Sequence, residues 1–339
     1  MMAVPAASPD CSLGYACPRC RRAVARGADA YACAGCGSRF PVVLGIPDFR
    51  VFPDPWIGLE DDRDKARRLE ERAQGASVES MVRTYWAMTP GTPAAQADRF
   101  VEHVLHAHAR SREWVDRLPP VPATPDIAWL DIGTGTGDLA VVAAERGVSV
   151  VGIDIAMRWM VVARRRAELA GVGVDLVCCN AEHLPFADAT FERATAVGTV
   201  EHLGEADTML RETRRVLRRG GDLHVRTVNR YSVLPEPHVN VWGVGYVPRR
   251  LADRYVQWRS GQRYEHHRPL SSRELRRGLQ SAGFRDVSVE AAPLLATERA
   301  RLAHREWAAD LYERSRTAVG GRIALRLVAP LLEASGVAS

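Results

Sequence analysis

From residue 127 onward, short apolar runs alternate with longer amphipathic stretches. IAWLDI reads as a buried strand, DLAVVAAER as a helix and VSVVGI as a strand. MRWMVVARRRAELA follows as a helix, VDLVC and FERATAV as strands, ADTMLRETRRVLRR as a helix and GDLHVRTV as a strand. SSRELRRGLQSAG and FRDVSVE then add one more helix and one more strand. Alternation at this spacing predicts parallel strands joined by crossover helices, hence a doubly wound α/β sheet. Residues 229–270 interrupt the rhythm with Tyr231, Trp242, Tyr246, Tyr255, Trp258 and Tyr264 among prolines and glycines. The tail 291–339 reads as mostly helical, and the pattern does not place its last strand.

The first third of the chain follows other rules. Residues 57–125 read as a charged helix, DDRDKARRLEERA, continued by MVRTYWAM. A second helix follows with Phe100, Val101, Val104 and Leu105 on one side. Pro119, Pro120, Pro122 and Pro125 then break the chain. Residues 11–56 are rich in cysteine and glycine, with strand-like pieces and little helical signal. The predicted divisions are 11–56, 57–125, 126–290 (with the insertion 229–270) and 291–339.

Composition narrows the class. The chain has 339 residues, of which 46% are hydrophobic and 26% charged. That excludes collagen-like, wholly disordered and coiled-coil chains. The absence of an 18-residue apolar run predicts no membrane span, and the opening residues lack a secretory pattern. A cytoplasmic enzyme is the expectation. The net charge of +5 is too small to argue for nucleic acid. All the basic residues but Lys65 are arginine, so arginine clusters read as helix-face charge.

Cysteines change the picture. Five of the seven lie within the first 36 residues. Cys17-x2-Cys20 and Cys33-x2-Cys36 form two knuckles with 12 residues between them. Four thiolates at this spacing predict a closed tetrahedral zinc site, structural because no position is left open for water. Cys11 reads as a bystander, and Cys178 and Cys179 as buried, inert thiols.

The central signal is Asp131-Ile132-Gly133-Thr134-Gly135-Thr136-Gly137, between a predicted strand and a predicted helix. Glycines let the backbone turn tightly and let a ligand approach the main chain. Asp154 ends the next strand, where a carboxylate can accept from both ribose hydroxyls. A glycine loop with a distal acid is also the dinucleotide fingerprint, but that pattern is G-x-G-x-x-G around a pyrophosphate. An acid leading the loop suits a cationic, amine-bearing ligand better, and S-adenosylmethionine fits that description.

With these motifs, residues 126–290 resemble the class I S-adenosylmethionine-dependent methyltransferases. The resemblance implies a Rossmann-like sheet of the seven-stranded type, mostly parallel, with the donor bound at Asp131, Gly133, Thr134, Gly135, Gly137, Asp154, Ile155 and Met157. CCNAEHLPFADATFE resembles that family's adenine loop, which implies roles for Asn180, Ala181 and Glu182, with an amide where an acid is usual. ATAVGTVEHLG resembles the end of strand four, which places Ala196 and Val197 against the methionine part of the donor. The knuckles and the following F-P-x-x-x-G-I-P pattern, Phe40 to Pro47, resemble small zinc-ribbon activators of methyltransferases, here fused to the client.

Candidate general bases are His202, His238, His266 and His267. His202 follows Glu201 near the expected methyl, where a structural role is equally open. The aromatic insertion reads either as a substrate cap or as a satellite core. A small-molecule acceptor is the preferred reading, methylated on oxygen, nitrogen or carbon, with secondary metabolism as the setting. An RNA base methyltransferase using the ribbon and a non-catalytic scaffold are the alternatives, and the oligomeric state is open.

Overall fold

The computed structural model describes residues 14–72, 75–90, 92–121 and 129–339; Cys11 and part of the proline-rich segment lie outside them. The ribbon strands are β1 (Ala25–Arg26), β2 (Ala30–Ala32), β3 (Arg39–Val43) and β4 (Ile46–Pro47), in antiparallel order β1-β2-β3-β4. Helices α1 (Leu59–Arg72), α2 (Val78–Ala87) and α3 (Ala94–Val115) follow. Then come β5 (Trp129–Ile132), α4 (Asp138–Ala144), β6 (Val150–Asp154), α5 (Met157–Ala170), β7 (Asp175–Cys178) and β8 (Phe191–Val197). The chain continues through α6 (Ala206–Val216), β9 (Leu217–Val228), α7 (Arg249–Ser260), α8 (Ser272–Ser281) and β10 (Phe284–Ala291). It ends in α9 (Ala296–Arg301), α10 (Glu306–Thr317), α11 (Val319–Val328) and β11 (Leu331–Ala338).

Strands β5 to β11 form a seven-stranded sheet of order β10-β11-β9-β8-β5-β6-β7. The strands β5, β6 and β7 pair in parallel, whereas β11 runs antiparallel between β9 and β10. The predicted doubly wound α/β architecture is therefore present. Two compact units make up the chain, divided within β8 between Arg193 and Ala194.

In the first unit, α1, α2 and α3 bury one face against α5. Leu69, Met81, Val82, Tyr85, Val101 and Val104 meet Met157, Met160 and Val161, and Val43 and Ile46 of the ribbon join the same core. Tyr85 and Trp114 are buried in this unit, and Phe100 stacks on Trp159 at 5.1 Å. The ribbon's own aromatic rings, Tyr15, Tyr31 and Phe40, all pack on Phe49, with Tyr15 also against Phe186. The segment after the ribbon extends the sheet edge: Asp48 bridges in parallel to Cys178, and the Phe49 N–H donates to the Cys178 carbonyl at 2.8 Å.

Beside that edge lies a buried ionic network. Arg50 donates to Asp48 at 2.7 Å and to Asp62 at 2.6 Å, with all three side chains fully shielded. Arg158 reaches Asp62 at 2.7 Å and Asp54 at 2.8 Å, and Arg63 adds a bond to Asp48. Three carboxylates thus face three guanidiniums. Burial alone would raise Asp48, but Arg50 and Arg63 hold it below the ordinary carboxylate value. Asp62 also accepts from the Met157 N–H at 2.8 Å, so it serves as the cap of α5 from outside that helix.

The second unit holds two surprises. The tail is mostly helical, as expected, and ends in the strand that the pattern does not place, β11. Its apolar side is Leu332, Ala334, Gly336 and Ala338, residues too small to display a period-two pattern. The predicted helix through Arg219 ends at Val216, and the chain runs directly into β9. The insertion builds a small core of its own from Val239, Val241, Val244, Ala252, Val256 and Tyr264. Trp242, Tyr246 and Trp258 stay exposed. Gly245 is required where it stands, since a Cβ there would lie 1.5 Å from the Arg230 carbonyl oxygen.

The ionic network predicts a large effect for one substitution. Asp62→Ala leaves three guanidiniums facing two carboxylates and the Met157 N–H without its acceptor, and should cost about 3–5 kcal/mol of unfolding free energy. Denaturant unfolding of parent and variant measures it; a loss below about 1 kcal/mol would show the network to be incidental.

Candidate functional site

Most of the predicted cofactor-binding residues gather in the first unit. The turn after β5 is held from below by the next strand: the Gly133 and Thr134 N–H groups both donate to the Ile153 carbonyl at 2.8 Å. Gly135 N–H donates to the Asp154 carboxylate at 2.9 Å, and the other oxygen of that carboxylate accepts from Ala156 N–H at 2.8 Å. Gly133, Gly135 and Gly137 all have positive φ. Gly137 caps α4, and a Cβ there would come within 2.7 Å of Ala163, so the crossing of α4 and α5 demands glycine. Arg166 clamps the turn from α5 by donating to the Thr136 carbonyl at 2.9 Å.

This arrangement suits an adenosyl ligand. Asp131 is buried at the head of the turn. A Cβ on Gly135 would meet nothing closer than 4.0 Å, so the space over the turn is open. Asp154 spends two acceptor positions on backbone N–H groups and keeps two for hydroxyls. Burial raises the Asp154 carboxyl above its ordinary value, against the pull of the two N–H donors. Ile155 follows with its carbonyl held by Arg50 at 3.0 Å, and Met157 opens α5.

Asn180 departs from its predicted role. Its side chain is fully buried, and its carbonyl oxygen accepts from Val51 N–H at 2.8 Å and Phe52 N–H at 3.4 Å. Its amide donates to the Phe52 carbonyl at 3.2 Å. The amide expected to read adenine instead clasps the segment that follows the ribbon. Ala181 and Glu182 are buried beside it.

The ribbon cysteines converge as predicted. The four sulfurs lie within 4.8 Å of one another, with Cys17 to Cys36 at 3.6 Å and Cys20 to Cys33 at 3.3 Å. Each pair sits on a tight turn: Arg21 N–H donates to the Cys17 carbonyl and Gly37 N–H to the Cys33 carbonyl. A tetrahedral zinc–thiolate centre has sulfurs about 3.8 Å apart, so the donor set fits. Cys178 and Cys179 are buried, and burial holds both thiols well above the usual range.

The second unit holds Ala196, which is buried, Val197, and the histidines. The rings of His202, His238 and His267 cluster, with centroids 4.7, 5.1 and 4.4 Å apart. His266 is not of this group: it is exposed and its φ of 61° lies in the left-handed region, where the chain turns so that its neighbour His267 joins the cluster. Burial would lower His238, but Glu236, 2.5 Å from its Nδ1, raises it overall. Burial and the neighbouring His238 push His267 down to about 4. Glu201 is buried, raised by that burial, and accepts from the Thr227 hydroxyl at 2.7 Å.

The methyltransferase domain family matches residues 130–225. A ubiquinone biosynthesis O-methyltransferase of Idiomarina loihiensis is 29% identical over 161 residues, covering 47% of this chain and 62% of that protein. One from Methylocella silvestris is 32% identical over 188 residues, covering 53% of this chain and 67% of that protein. A demethylmenaquinone methyltransferase of Thermus thermophilus is 37% identical over 119 residues, covering 34% and 51%. The chain thus spans between about half and two thirds of the length of these curated relatives.

The Asn180 clasp is testable. Asn180→Ala leaves two backbone N–H groups and one carbonyl without their partner and should destabilise the chain by about 1–3 kcal/mol. Denaturant unfolding reads the loss; unchanged stability would show that water replaces the amide at no cost.

Proposed function

Because this chain belongs to the S-adenosylmethionine-dependent methyltransferases, we propose that it transfers the methyl of S-adenosylmethionine to a small-molecule acceptor. The observation that carries the reading is the turn Gly133–Gly137 pinned to Asp154, with open space over Gly135. When bound, the donor supplies an electrophilic methyl on a positively charged sulfur.

The residues of this chain divide the remaining work. Asp154 offers its spare acceptor positions to the ribose hydroxyls. Asp131 places negative charge at the head of the turn, where it favours a cationic ligand. Glu182 and Ala181 line the adenine side, with recognition left to backbone groups because Asn180 is committed to Val51 and Phe52. Ala196 and Val197 are assigned to the methionine side. In-line displacement asks the enzyme mainly to align the reacting atoms and to exclude water. The acceptor's nucleophile must also shed its proton, and we assign His202, His238 and His267 to that side of the reaction.

The small-molecule class is supported by the modest charge and by the relatives, whose names place them in quinone biosynthesis. The insertion 229–270, with Trp242, Tyr246 and Trp258 exposed, is assigned as the acceptor's cap, and its aliphatic core would make that cap rigid. Among the described residues no helix is long and apolar enough to cross a membrane. We further propose a cytoplasmic setting and a structural zinc in the ribbon, closed by Cys17, Cys20, Cys33 and Cys36. That metal would stabilise a module whose few buried rings are too small a core to stand alone.

Calorimetric titration with S-adenosylhomocysteine tests the function. The parent chain should bind it, and Asp154→Ala should bind about 1–3 kcal/mol more weakly. No binding by the parent would leave a scaffold rather than an enzyme. For the ribbon, Cys17→Ser with Cys20→Ser should carry one zinc per chain fewer than the parent by elemental analysis; equal metal content would refute the site.

A further inference from the structure

Three segments of the second unit converge on one point. His202 ends the 3₁₀ turn Val200–His202, which follows β8. The segment carrying His267 is tied to that turn: Arg268 N–H donates to the Glu201 carbonyl at 2.6 Å, and the Arg268 guanidinium donates to the Gly204 carbonyl at 3.0 Å. His238 sits in a turn closed by the bridge between Glu236 and Val241. One ring nitrogen from each histidine falls within 4.8 Å of the others.

The outward hydrogen bonds of these rings follow a pattern. His238 meets the Glu236 carboxylate through Nδ1 at 2.5 Å, and Glu236 is itself fixed by the His238 N–H at 2.9 Å and the Val239 N–H at 3.2 Å. His267 donates from Nδ1 to the Glu265 carbonyl at 2.7 Å. Tyr264 stacks on the His267 ring at 5.4 Å and an interplanar angle of 17°. Both rings are thereby set with Nδ1 protonated and with the lone pair on Nε2. A carboxylate or a backbone carbonyl on the far nitrogen is the usual means by which a protein orients a metal-binding imidazole and raises its basicity. Two non-glycine residues of the insertion adopt left-handed backbone, Asn240 at φ 53° and His266 at φ 61°, each within two residues of a histidine of this cluster.

The geometry points to a mononuclear site in which His202, His238 and His267 bind a late first-row divalent cation, Zn2+ foremost, through three imidazoles with one position left open. Imidazole donors without a carboxylate select Zn2+ and its neighbours over Mg2+ or Ca2+. Zinc–nitrogen bonds of about 2.0–2.1 Å require nitrogens about 3.3 Å apart, a modest closing of the present cluster. Three protein ligands with an open fourth position are the pattern of a reactive site, unlike the closed four-thiolate set of the ribbon. The fourth ligand would be water or an ionisable oxygen of the acceptor, a phenol or an enol. This last role rests on the methyl-transfer reading; the metal site does not.

The test uses the full chain, stripped with chelator and reloaded with Zn2+ alone. Elemental analysis of His238→Ala with His267→Ala should find one zinc per chain fewer than the parent, with the ribbon cysteines intact. An equal count in a variant whose circular dichroism matches the parent would overturn the site. Glu236→Gln guards against a variant that fails to fold: competition with a chromophoric chelator should show zinc bound about 10- to 100-fold more weakly. Unchanged affinity for both zinc equivalents would equally overturn the proposal. Neither readout involves the methyl donor. A chain that loads zinc here but does not bind S-adenosylhomocysteine keeps the site and loses the methyl-transfer reading, and the reverse result separates them the other way.

Discussion

The carboxylate of Asp62 is where the first unit is joined. It takes Arg50 from the segment after the ribbon, Arg158 from α5 and the first N–H of that helix, and it lies fully buried. A buried charge of this kind is tolerable only when every oxygen is engaged and the local charge balances. Both conditions hold, with Asp48, Asp54 and Asp62 set against Arg50, Arg63 and Arg158. Chain before β5 and chain after β6 are thus held by one interaction. Arg50 holds the Ile155 carbonyl and Asp62 the Met157 N–H, so the network fixes the chain just after Asp154. The zinc ribbon therefore matters to the candidate cofactor turn through what it delivers: Asp48 and Phe49 paired to Cys178 at the end of β7, and Val51 and Phe52 clasped by Asn180.

That arrangement explains why the ribbon belongs in the same chain. A cysteine module of this size has few buried rings, and here they are Tyr15, Tyr31, Phe40 and Phe49. Phe186 continues the same aromatic cluster from the other side. The ribbon completes the packing of a sheet edge that would otherwise expose unpaired N–H and carbonyl groups. In the second unit a different economy applies. The insertion after β9 has its own aliphatic core, so its polar and aromatic side chains are available for chemistry, and His238 and His267 come from it.

Much of this was legible in the sequence, and the gaps have physical causes. The glycine turn, Asp154 and the four cysteines could be read because backbone geometry and metal chemistry allow few substitutes at those positions. The alternation of strands and helices was equally plain where the strands carry Val, Ile and Leu. β11 escaped because, after Leu332, alanine and glycine give its buried side little hydrophobic contrast. The ionic network escaped because Asp62 and Arg158 sit in charged helical stretches, and nothing local distinguishes a buried charge from a solvated one. Asn180 stands out as an amide in an unusual place, but its partners, Val51 and Phe52, lie far away along the chain. The sequence marks the histidines only as separate candidates. Their convergence depends on the left-handed turn at His266 and the Arg268 tether, which only the folded chain reveals.

The central claim is that the turn between β5 and α4 holds the adenosine of the methyl donor. A co-crystal structure with S-adenosylhomocysteine tests it most directly. The account predicts the two ribose hydroxyls at about 3 Å from the Asp154 carboxylate and the homocysteine chain over Gly133–Gly137. Density for the ligand elsewhere, or Asp154 with no ribose hydroxyl in reach, would contradict it.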